Sequence, residues 1–170
     1  GRSARTADLT VCMQPDTEMP DSDDIFHDLL FRSGRSVLMV PAAYDGNVGQ
    51  HVMIAWNGRA EGARAVGGAI SLLLGAEKVT IVQIGDIDPM RPDFEDLQEY
   101  LGEYGIKTTV RNDTDKGDGI GRQLLDTADE IGADSIVLGA YSHSRWREMV
   151  LGGATRDIVS QSKLPIFMSH

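Results

Sequence analysis

The residues best suited to chemistry fall in one run, Gly139-Ala140-Tyr141-Ser142-His143-Ser144-Arg145-Trp146-Arg147-Glu148-Met149-Val150-Leu151-Gly152-Gly153-Ala154-Thr155-Arg156. Gly139 follows the apolar stretch Ser135–Leu138. A glycine leaving a buried strand lets the chain turn and lets backbone approach a ligand. Gly152-Gly153 precede a helix expected from about Ala154, and the unpaired N–H groups of a helix start, with the dipole behind them, form a ready anion site. Residues 139–170 hold four Lys/Arg and two acids, a balance of +2, while the rest of the chain sums to −12. The one locally basic piece therefore coincides with the glycines. The same arginines would serve equally as ordinary helix-end and surface charges.

Other arrangements carry less. No glycine is followed by Lys-Ser/Thr, so no P-loop is present. Lys116-Gly117-Asp118-Gly119-Ile120-Gly121 is glycine-rich but lacks the dinucleotide spacing, and reads as a turn with Asp118 as N-cap. Ser142 and His143 are adjacent, a poor geometry for a nucleophile and its base. His27, His51 and His170 show no metal-ligand spacing. The five acids of Gln14–Asp24 lack the order of a calcium loop and read as a solvated segment. Trp56 would either pack on a base or close the core, the second being the simpler role. The single cysteine, Cys12, excludes an intrachain disulfide and reads as a small buried hydrophobe.

These residues need a scaffold, and the hydrophobic pattern supplies one. Short β-rich runs at Leu9–Cys12, Val37–Val40, His51–Trp56, Val79–Ile84, Lys107–Arg111, Ser135–Leu138 and Ile166–Met168 alternate with helical patterns. Val66, Ala69, Ile70, Leu73 and Leu74 mark one helix, Phe94, Leu97, Leu101 and Tyr104 a second, and Ile120, Leu124, Ala128 and Ile131 a third stopped by Gly132. Such alternation predicts an α/β fold with a mostly parallel sheet and helices on both faces.

The chain also echoes itself. Ala7-Asp8-Leu9-Thr10-Val11-Cys12 resembles Ala133-Asp134-Ser135-Ile136-Val137-Leu138, and Ser33–Val40 resembles Ser162–Met168 at a similar later distance. Each copy reads as strand, loop, helix, strand, the mark of a duplication. Residues 1–43 would then be the closing strand–helix–strand part of a first unit, residues 44–49 a linker, and residues 50–170 a complete five-stranded unit. A strand–helix–strand piece of this size buries no core alone, so it must pack on something. In the first copy the counterpart of the glycine run is Met13-Gln14-Pro15-Asp16, where like charge would repel an anion.

Composition limits what remains. The chain has 170 residues and a net charge of −10, against a general nucleic-acid surface, which rests on Lys and Arg. No apolar run approaches the roughly 20 residues of a membrane span, and with no signal peptide visible the expected location is the cytoplasm.

Residues 50–170 resemble a universal stress protein domain. That family's loop has glycine, two residues, glycine, nine residues, glycine, then Ser or Thr. Gly139, Ser142, Gly152 and Gly153 stand at those positions, with Ser142 and Gly153 departing from the pattern. Asn57, closing Ala55-Trp56-Asn57, takes the place of the aspartate that ATP-binding relatives carry near adenosine. The resemblance implies a flavodoxin-like (HUP-type) fold and a regulatory module for ATP, with Mg, or else another anion or none. It implies Asn57 and Ile84 beside adenosine, Gly139, Ser142, Gly152, Gly153, Ala154 and Thr155 around phosphate, and Arg145 and Arg156 adding charge. ATP hydrolysis would be weak at most, the sequence naming no water-positioning residue. The alternative is a non-nucleotide-binding scaffold acting through pairing, as a homodimer through the edge Ile166–Met168 or with the first domain.

Overall fold

The computed structural model describes residues 3–16, 18–19, 21–86, 90, 93–141 and 153–170. Seven strands are found: β1 (Leu9–Met13), β2 (Ser36–Val40), β3 (His51–Ala55), β4 (Lys78–Ile84), β5 (Thr108–Asp113), β6 (Ser135–Gly139) and β7 (Ile166–Ser169). Among the described residues six α-helices accompany them, α1 (Ser22–Arg32), α2 (Ala60–Gly68), α3 (Ile70–Leu74), α4 (Phe94–Gly102), α5 (Ile120–Ile131) and α6 (Gly153–Gln161), with a short 3-10 turn at Ser3–Thr6. One sheet runs in the order β1-β2-β7-β6-β3-β4-β5, and every described neighbour pair is parallel except β2 with β7.

The sheet therefore corrects the five-stranded expectation. The two strands of residues 1–43 do not stand apart. Val37, Leu38 and Met39 pair antiparallel with Met168, Phe167 and Ile166, so the edge at Ile166–Met168 is closed within the chain. Backbone groups on a sheet edge seek partners, and β2 supplies them.

Two apolar layers hold the helices on. One face packs Phe26 and Leu30 of α1, Leu124 and Ala128 of α5, and Ile158 and Val159 of α6 over Met53, Val82, Ile136 and Met168. The other packs Ala65 and Val66 of α2, Leu73 of α3, and Leu97 and Leu101 of α4 over Val52, Ile54, Ile81, Val137 and Phe167. Central strands are buried on both faces, which is why their sequences read as continuous apolar runs. The outer strand β1 differs. Its Thr10 and Cys12 pack inward, while Leu9, Val11 and Met13 are 36%, 62% and 57% exposed on the other face. Cys12 is half-buried at the border of the core, short of the full burial expected, and burial pushes its thiol up to about 11.

Local chemistry sets the helix ends. Asp93 and Asp96 cap α4 reciprocally: Asp93 Oδ1 accepts from the N–H of Glu95 at 2.8 Å, and Asp96 Oδ2 accepts from the N–H of Asp93 at 3.1 Å. Gly132, at φ 68°, ends α5 in the left-handed conformation. Two expectations are corrected. The N-cap of α5 is Gly119 at φ 95°, with no side-chain cap, and Asp118 lies outside the cap position. The helix expected through Val66–Leu74 is two helices, broken where Ala69 takes φ −90° and ψ 0°.

At the amino end of the parallel strands, Asp134 ties the segment before β3 to β6. Its carboxylate accepts from the N–H groups of Gly49 at 2.9 Å, Gln50 at 2.7 Å and His51 at 3.2 Å. His51 bridges Gly132 O and Thr80 Oγ1 through its two ring nitrogens, and burial holds its pKa below the usual histidine range.

Candidate functional site

Strand order reverses between β3 and β6: the chain goes from β3 to β4 and β5 on one side, then returns to β6 and β7 on the other. In open α/β sheets the connections diverge at such a point, and ligands bind there at the carboxyl ends of the strands. Asn57 follows β3, Ile84 ends β4 and Gly139 ends β6 at this edge. The start of α6 lies there too, since Thr155 Oγ1 accepts from the N–H of Tyr141 at 3.3 Å.

The named residues do different work. Asn57 is exposed, and its Oδ1 accepts from the N–H of Arg59 at 3.1 Å, turning the chain into α2. Ile84 is half-buried against the core face of α1, α5 and α6. Gly153 and Arg156 are exposed on the first turn of α6, and a Cβ on Gly153 would meet nothing within 4 Å. Thr155 is 7% exposed and fixes Tyr141. Ala154 is half-buried. Its carbonyl oxygen lies 2.5 Å from where a Cβ on Gly121 would stand, so it serves the contact between α5 and α6. Ser142, Arg145 and Gly152 lie outside the described residues.

Gly139 is present for packing. A Cβ there would stand 2.3 Å from Gly62 N, 2.5 Å from Glu61 C and 2.8 Å from Gly62 Cα. The first turn of α2 thus lies directly against the Cα of Gly139. Gly62 is itself close to Asn57 Oδ1 and the Trp56 ring, at 3.2 and 3.4 Å from its own Cβ position. Trp56 is 6% exposed within the core under α2 and α4. It closes the core as expected, and with Ala63, Val66, Asp96, Leu97 and Tyr100 it lines a cleft of about 280 Å³.

Sequence reasoning missed an aromatic group around Tyr141. Its ring lies 5.1 Å from Phe31 and 6.2 Å from His27, both on α1. Phe31 also meets His170 at 4.6 Å, and His170 Nδ1 lies 3.2 Å from Ala140 O. Burial, with Asp23 nearby, pushes the Tyr141 phenol up to about 12 against the opposing charge of Arg156. No local signal points to this contact, because it joins segments far apart in the chain. Among the described residues no group of three or more His, Cys, Asp or Glu could hold a metal ion. Nor is any described helix long and apolar enough to cross a membrane.

Comparisons with known proteins agree with this frame. None of the curated proteins compared matches the chain in sequence. A universal stress protein from Archaeoglobus fulgidus DSM 4304 superposes with a TM-score of 0.68 at 16% identity, covering 99% of this chain and 62% of that one. A functionally unknown protein from Pseudomonas aeruginosa PAO1 gives 0.63 at 16% identity, covering 99% and 64%. A universal stress family protein from Burkholderia pseudomallei gives 0.54 at 17% identity, covering 71% and 96%. The chain thus spans less than two thirds of the two longer structures. At these identities the likeness is one of fold. The model of the universal stress protein family matches residues 42–170, about three quarters of the sequence. The chain belongs to the universal stress protein family.

Proposed function

We propose that the chain is a regulatory nucleotide-binding module, taking ATP with its magnesium ion at the carboxyl edge of β3, β4 and β6. The observation that supports this reading is that Asn57 after β3, Ile84 at the end of β4 and the segment leading from β6 to α6 all belong to one edge of the sheet, beside the point where strand order reverses. Asn57 would contact adenosine beside Ile84. The N–H groups at Gly153 and Ala154, the charge of Arg156 and the run Ser142 to Gly152 would take the phosphates. Thr155 holds Tyr141 and is the weaker candidate for a phosphate hydroxyl. A magnesium ion would come with the phosphates. Binding rather than turnover is the proposed activity.

A second observation favours a scaffold role beside it. Residues 1–43 would be the closing part of a first unit of the same kind, residues 44–49 the linker and residues 50–170 the complete domain. Val11 is 62% exposed, while its counterpart in the internal echo, Val137, is fully buried. Val137 lies under Ala65 and Val66 of α2, whereas the face of β1 that carries Val11 is open to a partner.

The test is direct. Purified protein is denatured and its supernatant analysed for released nucleotide, and Mg·ATP is then titrated by calorimetry. Released nucleotide or saturable heat supports the module, and Gly153→Ser should then preserve or raise affinity while Arg156→Ala lowers it. Neither nucleotide nor heat overturns the module and leaves the scaffold.

A further inference from the structure

Tyr141 is the only non-glycine residue with positive φ among the described ones, at 56°. Such a conformation is sparsely populated for a bulky side chain and persists only where its surroundings hold it. Three elements do so. From α6, Thr155 Oγ1 accepts the Tyr141 N–H at 3.3 Å. From the end of β7, Ser169 O accepts the neighbouring Ala140 N–H at 2.8 Å, and His170 Nδ1 lies 3.2 Å from Ala140 O. From α1, Phe31 and His27 pack on the Tyr141 ring at 5.1 and 6.2 Å. The first two belong to residues 50–170. The third belongs to residues 1–43.

We propose that Phe31 is a positioning residue for Tyr141, so that helix α1 of the first unit sets the backbone at the root of the glycine run in the second. Tyr141 immediately precedes Ser142, and its N–H is tied to the first turn of α6. A change in its φ therefore moves the strand exit and the helix start relative to one another. Gly153, Ala154 and Arg156, proposed above to meet phosphate, lie on the second of those segments. In its bearing on affinity the inference rests on the nucleotide reading; the Phe31–Tyr141 dependence does not. Phe31 touches no ligand in this account and acts only through Tyr141. The first unit then regulates the second in cis, and whatever displaces α1 weakens the second unit's grip on an anion.

The test uses the whole chain with Phe31→Leu, Phe31→Ala, Tyr141→Ala and Tyr141→Phe, each first checked for folding by far-ultraviolet circular dichroism. Phe31→Leu keeps an apolar side chain should Phe31→Ala fail to fold. Without ligand, exchange of the Tyr141 amide hydrogen is read by NMR. Phe31→Leu should speed it about tenfold, a change of about 1.4 kcal/mol in local opening, without altering exchange in β4. With Mg·ATP, Phe31→Leu and Tyr141→Ala should each weaken affinity about tenfold, and Tyr141→Phe, which keeps the ring, should stay within about twofold of the parent. Unchanged Tyr141 exchange in Phe31→Leu overturns the proposal. So does faster exchange with unchanged nucleotide affinity. If the parent chain binds no nucleotide, the nucleotide reading fails separately. The positioning of Tyr141 by Phe31 is then decided by exchange alone.

Discussion

Gly139→Ala is the sharpest perturbation of this fold, since it adds one methyl group where three backbone atoms already stand. The new Cβ would lie 2.3 Å from Gly62 N, 2.5 Å from Glu61 C and 2.8 Å from Gly62 Cα. All three belong to the first turn of α2, so no rotamer change relieves the clash. Either α2 lifts from β6 or β6 bends. Overpacking of a well-filled core costs roughly 1–3 kcal/mol, and against rigid backbone the upper end is expected. A domain of this size loses about 2–4 °C per kcal/mol, so Tm should fall by about 6–12 °C at roughly 3 kcal/mol. The assay is thermal and urea unfolding by circular dichroism, with Gly153→Ala as control. There a Cβ meets nothing within 4 Å, and the change should stay within about 0.5 kcal/mol. A Gly139→Ala protein that melts with the parent would refute the packing account. If it then lost only nucleotide affinity, Gly139 would be a ligand contact after all.

Asp134→Asn should cost about 2 kcal/mol by urea unfolding, because its carboxylate accepts three backbone N–H groups around the start of β3 and charge-assisted bonds are the stronger kind. His51 is held below its ordinary pKa, so its neutral form favours the fold. That contribution is complete above the unfolded value near pH ~6.5 and is lost as pH falls through the lower folded value. Urea midpoints between pH 7.5 and pH 5 should therefore fall more steeply in the parent than in His51→Asn. Val11→Asp should leave the stability of this chain within about 0.5 kcal/mol while Val137→Asp prevents folding, since the first residue is 62% exposed and the second fully buried. Equal damage in both, read by circular dichroism, would mean that the β1 face is covered.

The scaffold was legible where burial leaves a simple pattern. β3, β4, β6 and β7 each have a neighbour on both sides in the mostly parallel sheet, and their runs of Val, Ile and Met need no alternation to be recognised. The break at Ala69 was not legible, because the apolar spacing continues across it and only backbone geometry departs. That residues 1–43 share a sheet with the rest depends on the pairing of β2 with β7, which neither strand announces. The site divides in the same way. The spacing of Gly139 and Gly153 marks the segment, yet only three-dimensional proximity shows that Gly139 serves α2. Phe31 carries no motif at all, and its contact with Tyr141 appears only when α1 is laid beside the end of β6.

The one antiparallel pair among the described strands, β2 with β7, has a further consequence. Because β1 and β2 run opposite to β6 and β7, the segment leaving β1 starts at the other end of the sheet from the segment leaving β6. Gln14, the first residue beyond β1, is fastened at its own end of the sheet, its Nε2 donating to Val159 O at 2.7 Å on the last turn of α6. The two strand exits that the internal echo matches therefore cannot close on one ligand from the same side.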